Sequence, residues 1–188
     1  MPSLMLERPI FVRERADGNY HVISYLLYKV LEEFIVTVPL SALFCVAIYY
    51  GVGMHGSMVL FWLTFLVMNN IGIVLAYLVA SFAPSVDSAN AILPCYVVIC
   101  LFFVGLLIPY KEIPVWWSWF AWICPLRYAW SALMMNEFDE NDPFNALAYF
   151  SVGDSSQKWN YFGYTCAFYP VFFLGTYVIM SFSKYVKR

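Results

Sequence analysis

Charge is what this sequence has least of. Only 12% of its 188 residues are Asp, Glu, Lys or Arg, while 63% are hydrophobic. Soluble domains carry about twice that share of charge and about 45–50% apolar residues. A water-soluble fold of this size has no place to hide so much apolar surface. Net charge is −2, which leaves no basic surface for nucleic acid. Histidine is also scarce. His21 and His55 stand at opposite ends of one apolar stretch and cannot share a site within one chain. The sequence lacks a Gly-x-x-x-x-Gly-Lys-Ser/Thr phosphate loop, a Gly-x-Ser-x-Gly elbow and a Cys-x-x-Cys pair. These 188 residues therefore hold no recognisable catalytic or nucleotide-binding motif. No Asn-x-Ser/Thr acceptor occurs, and residues 1–14 have no apolar core of the kind a cleavable leader needs. The five cysteines (Cys45, Cys95, Cys100, Cys124, Cys166) sit in apolar stretches and read as small buried hydrophobes, not as a disulfide set or metal site.

What the chain does have is long apolar runs. A helix crosses a bilayer with roughly 20 residues at about 1.5 Å each. Four runs satisfy this: 25–50, 57–83, 91–108 and 161–183, with Pro39 and Pro170 inside the first and last. Before them, residues 1–20 are polar and predict a short surface helix opened by Pro9 and stopped at Gly18-Asn19. A fifth apolar run, 113–135, is aromatic. Four of the seven tryptophans (Trp116, Trp117, Trp119, Trp122) crowd into seven residues of it. Tryptophan suits the boundary between lipid and water. Pro125 and Arg127 break the second half of this run, which favours a hairpin that dips into the membrane and returns over a fifth crossing. The expected fold is thus all-α and integral to the membrane: four transmembrane helices plus a re-entrant aromatic hairpin.

Basic residues set the expected orientation. Arg8, Arg13 and Arg15 precede the first span and Lys184, Lys187 and Arg188 end the chain, whereas loops 51–56 and 84–90 have no Lys or Arg. The positive-inside rule then places both termini in the cytoplasm and loop 136–160 outside.

Several polar positions inside this apolar chain are candidates. Asn69 and Asn70 fall at mid-span, as glue between helices or as the lining of a substrate path. Lys29, Glu32 and Glu33 share one helix face near the start of the first span. They read as a solvated helix start or as a polar relay into the bundle. Leu106-Leu107 ahead of Pro109 is apolar filling or a closure between symmetry mates. The acids Glu137, Asp139, Glu140 and Asp142 read as a solvated loop, and their spacing matches no calcium loop.

Three stretches taken in order resemble the membrane domain of the G subfamily of ATP-binding-cassette transporters, the White type. Glu7-Arg8-Pro9-Ile10-Phe11-Val12-Arg13-Glu14, with Gly18-Asn19-Tyr20 and Ser24-Tyr25, looks like the family's cytoplasmic coupling helix and the start of its third span. Gly105-Leu106-Leu107 looks like its hydrophobic plug. Ile113-Pro114, Trp116-Trp117-Ser118-Trp119, Pro125-Leu126-Arg127-Tyr128 and Asn136-Glu137-Phe138 look like its re-entrant helices.

The resemblance implies the later part of a six-span exporter membrane domain. It implies a nucleotide-binding domain that carries ATP and Mg, supplied outside these residues, and a homo- or heterodimer of two membrane halves in lipid. It assigns Phe11 and Glu14 to coupling with the ATPase domain. Pro94, Val98 and Leu101, three to four residues apart, go with Asn69 and Asn70 to a substrate cavity, and Leu106 and Leu107 to the plug. An apolar cavity of this kind implies export of lipid-like or amphipathic substrates. The family's extracellular cysteines are absent from loop 136–160, so no extracellular disulfide is implied. Two other classes fit the composition: a four-span scaffolding protein, and a lipid-modifying enzyme, which the missing catalytic motifs argue against.

Overall fold

The structure is a computed structural model and describes residues 7, 9–11, 13–15, 17–18, 21–138, 145–153 and 155–182. Asp139, Glu140, Asp142, Lys184, Lys187 and Arg188 lie outside the described residues. Every regular element among the described residues is helical. A short helix at 7–15 precedes α1 (Val22–Val52), α2 (Met58–Phe82) and α3 (Val86–Phe103). Then come α4 (Ser118–Ile123), α5 (Pro125–Glu137), α6 (Ala146–Tyr149) and α7 (Lys158–Phe182). Four segments are long and apolar enough to cross a bilayer: α1, α2, α3 and Ser155–Phe182. The protein is a multi-pass integral membrane protein.

The aromatic run is not one continuous helix and is not among the segments long enough to cross a bilayer. It folds as α4 and α5, of 6 and 13 residues, with the break at Cys124. Pro125 opens α5 at a position where its missing N–H costs nothing.

α3 sits five residues earlier than the apolar run suggests. Its start is fixed by a reciprocal capping box between Ser85 and Ser88, which satisfies amides the hydropathy pattern does not see. Its end is fixed by Gly105, whose backbone has φ 93°, a left-handed geometry that suits glycine. Leu106 to Ile108 therefore leave the helix and form a bend, although they are as apolar as the span before them.

α2 is the centre of the bundle. It packs most extensively on α7, then on α1 and α5. Nearly half of its most apolar window (44%) is buried, against 11% for α1 and for α3. Pro39, Pro94 and Pro170 all lie inside continuous helices. Beside Pro39, Ser41 donates to Val38 O at 2.8 Å and accepts from Trp62 Nε1 at 3.2 Å, which ties α1 to α2. The main core lies at the end that carries the short helix at 7–15 and the last turns of α7. There Phe11, Leu26, Val74, Tyr77, Ala80 and Met180 meet.

Candidate functional site

At the terminal end, the short helix at 7–15 is locked to three spans. Phe11 is 2% exposed and its ring lies 4.7 Å from that of Tyr25. Arg15 donates from both terminal nitrogens, at 2.8 Å each, to the carbonyls of Met180 and Ser181 at the end of α7. A cation is favoured near a helix C-terminus. Lys29, although charged, is only 8% exposed. It lies 3.0 Å from Glu7 and 3.5 Å from Glu32, and Tyr25 donates to Glu7 at 3.1 Å. Glu33 turns the other way and accepts from the Tyr77 hydroxyl of α2 at 3.4 Å.

The expected Lys29, Glu32 and Glu33 group is thus divided. Lys29 and Glu32 face the short helix, and Glu33 faces α2. Glu14 lines an open polar groove of about 480 Å³ with Glu7, Ser24, Tyr25, Tyr28 and Lys29. Phe11 spends its surface inside the bundle. Glu14 is the one of the two that lines open space.

At mid-span the two asparagines separate. Asn70 is buried and Asn69 half-buried. Asn70 donates to Leu66 O at 2.8 Å and lines a cavity of about 330 Å³ with Phe34, Leu66, Val67, Cys166 and Tyr169. That cavity belongs to α1, α2 and α7. Pro94, Val98 and Leu101 do not line it; they are exposed along α3. The structure does not bring the five expected cavity residues together within one chain. Leu106 and Leu107 are exposed on the bend after α3, at 43% and 59%.

The hairpin end contains contacts that spacing alone does not show. The Tyr110 hydroxyl donates to Val104 O, and its ring occupies the space a Cβ on Gly105 would need. The Arg127 guanidinium carbon sits 4.3 Å from the centre of the Tyr110 ring and 4.5 Å from that of Trp122. A cation between two ring faces is attracted by both. Burial pushes the Tyr110 phenol up to about 12, with the Ser131 hydroxyl and the Arg127 charge opposing the rise. Tyr128 donates to Trp122 O at 3.0 Å and faces Tyr161, Tyr164 and Phe168 of α7.

Beyond the hairpin, Asn136 clasps Ser57 twice, accepting from its N–H and donating to its carbonyl, both at 3.0 Å. Glu137 accepts from the N–H groups of His55 at 3.0 Å and Gly56 at 3.3 Å. A side chain on Gly56 would run into Asn136. Glu137 is therefore no solvated loop acid. It closes α5 onto the α1–α2 connection, because that turn presents amides with no other partner.

Residues 1–138 match the family model of the ABC-2 type transporter. The chain belongs to the ABC-2 type transporter family. It is 34% identical over 167 residues to ABC transporter G family member 52 of Oryza sativa subsp. japonica, covering 87% of this chain and 12% of that protein. It is 26% identical over 176 residues to ABC transporter G family member 34 of Arabidopsis thaliana, covering 90% and 12%. It is 30% identical over 145 residues to the ABC transporter ATP-binding protein/permease wht-1 of Caenorhabditis elegans, covering 74% and 21%. The chain therefore spans between 12% and 21% of these relatives' length. It is an ABC-2 type membrane domain, and most of its length is similar to G-family ABC transporters.

Proposed function

We propose that this ABC-2 domain is the permease part of an ATP-driven exporter of lipid-like or amphipathic substrates. The observation that carries the reading is the docking of the short helix at 7–15 onto α1, α2 and α7 together, through Phe11, Glu7 and Arg15. A surface helix held by one span would only decorate the bundle. One held by three moves them as a body, as rigid-body switching requires. A nucleotide-binding domain outside these residues supplies ATP and Mg chemistry and presses on this helix, with Glu14 in the contact. Lys29, Glu32, Glu33 and Tyr77 then relay the displacement into α1 and α2.

Both termini lie in the cytoplasm in this reading, and the hairpin end faces outward. The exposed α3 faces a second membrane half, homo- or heteromeric. Its Pro94, Val98 and Leu101 line a cavity shared between halves, closed by Leu106 and Leu107. Asn70 contributes a polar point in a separate recess between spans of one half. An apolar wall with few polar groups suits an amphipathic guest.

The test is ATP-dependent flux of a fluorescent phospholipid analogue in vesicles carrying the complete transporter. The expected result is flux that Arg15→Ala combined with Glu7→Ala abolishes while ATP hydrolysis continues. Correct insertion with no associated ATPase and no flux would establish the scaffolding class instead.

A further inference from the structure

Two cysteines meet where α3 passes the hairpin. Cys100 lies near the end of α3, and Cys124 is the residue between α4 and α5. Both are buried, at 0% and 1% exposure. The Cys124 sulfur lies 3.8 Å from the Cys100 carbonyl oxygen. The Cys124 thiol thus donates to the backbone of Cys100, and the two thiols and the Tyr96 hydroxyl are close enough to influence one another. A sulfur 3.8 Å from the other cysteine's backbone brings the pair to a separation from which side-chain rotation can close a bond of about 2.05 Å. Cys45 on α1 and Cys166 on α7 belong to other parts of the bundle, and Cys95 is exposed on α3. Transport as proposed above makes no use of the Cys100–Cys124 pair.

We propose that Cys100 and Cys124 form a redox modification site, which a peroxide converts into a disulfide stapling α3 to the hinge of the hairpin. One thiolate attacks the peroxide oxygen, the O–O bond breaks, and a sulfenic acid forms with release of water. The second sulfur then attacks that sulfur, the S–O bond breaks, and the oxygen leaves as a second water. Two thiols are oxidised to one disulfide and one hydrogen peroxide is reduced to two waters. Hydrogen peroxide is small and uncharged, and Trp122 and Ile123 beside the hinge are exposed, so the oxidant has a short path. The staple lies where α4 and α5 must swing if the hairpin moves against α3. Oxidation therefore fixes that angle. A reductant such as a dithiol reverses it.

The experiment uses the complete protein in its native membrane. Membranes are treated with hydrogen peroxide, free thiols are blocked with N-ethylmaleimide, and the digest is analysed by mass spectrometry. The expected product is a Cys100 peptide joined to a Cys124 peptide, absent before treatment and after dithiothreitol. Cys100→Ser and Cys124→Ser each remove it, and Cys45→Ser, Cys95→Ser and Cys166→Ser leave it. The wild-type linkage decides the matter even if a variant fails to fold. Maleimide on both residues after treatment overturns the proposal. So does separate oxidation of each to a sulfinic or sulfonic acid, or linkage to Cys45, Cys95, Cys166 or a second copy. None of these outcomes depends on transport, so the transport reading can fail while this one stands.

Discussion

At the end that carries the short helix at 7–15, long charged and aromatic side chains make the joints, chiefly with one another. Lys29 meets Glu7 and Glu32, and Tyr77 meets Glu33, with Arg15 reaching the α7 carbonyls. At the hairpin end, side chain holds backbone in fixed register. Asn136 takes both polar groups of Ser57, Glu137 takes two amides, and Gly56 makes room for them. The first kind of joint tolerates angular movement, because long side chains follow one another. It also weakens with salt where it is exposed. The second kind tolerates little, because a shift of one residue breaks every bond at once. The molecule is jointed at the end where the proposed drive arrives and clamped at the end where the hairpin sits.

The clamp is where this contrast breaks most visibly. Asn136→Ala removes two hydrogen bonds that the buried Asn136 side chain makes to Ser57 and is expected to cost about 2 kcal/mol. Thermal unfolding of the purified protein in detergent checks this, with amide exchange at residues 53–57 expected to rise. Gly56→Val should match it in exchange and in direction of stability; unchanged exchange in either variant would mean that the clasp does not order the turn. Next in size is Arg127→Leu, which removes the cation between Tyr110 and Trp122. It should lower stability by about 1–2 kcal/mol, and Trp122 fluorescence should shift as the ring loses its partner.

Glu7→Gln is expected to cost less, about 0.5–1 kcal/mol, because the Glu7 side chain is 39% exposed and partly screened. Its effect should shrink between low and high salt, whereas that of Asn136→Ala should not. Equal salt dependence at both ends would erase the comparison. The smallest effect is alkaline. Tyr110 titrates near 12 in the fold and near 10 unfolded, so its neutral form is the one the fold prefers. Its contribution is intact below pH 10 and is lost as pH rises through 12. Tyr110→Phe should flatten that part of the stability profile.

The four crossings were legible because bilayer thickness translates directly into residue count, and nothing tertiary is needed to read it. The break in the aromatic run was legible for a related reason: Pro125 interrupts it at a defined point. The positions of polar partners were not. Lys29, Glu32 and Glu33 stood out as charges in an apolar segment, but the identity of Glu7 and Tyr77 as their partners depends on how three helices cross. Asn69 and Asn70 looked equivalent in sequence, yet one residue is a rotation of about 100° on a helix. Only Asn70 turns into the recess. Glu137 looked like one loop acid among several, and only the fold brings His55 and Gly56 to it. The sequence signal that could have raised it is adjacency to Asn136, since a buried amide beside an acid at a helix end makes a ready amide-binding pair.

The most extensive packing in the bundle joins α2 to α7, which the ribosome makes after α1, α2 and α3. During synthesis α1, α2 and α3 therefore enter the membrane with the central helix still lacking its main partner. The half-made protein exposes the buried face of α2, including Thr64 and Thr165's future neighbours, to lipid or to an insertion chaperone until α7 arrives. Chains stalled before residue 158 should then hold α2 in contact with the insertion machinery, and completion of α7, not insertion of α1 to α3, should mark its transfer into the bundle.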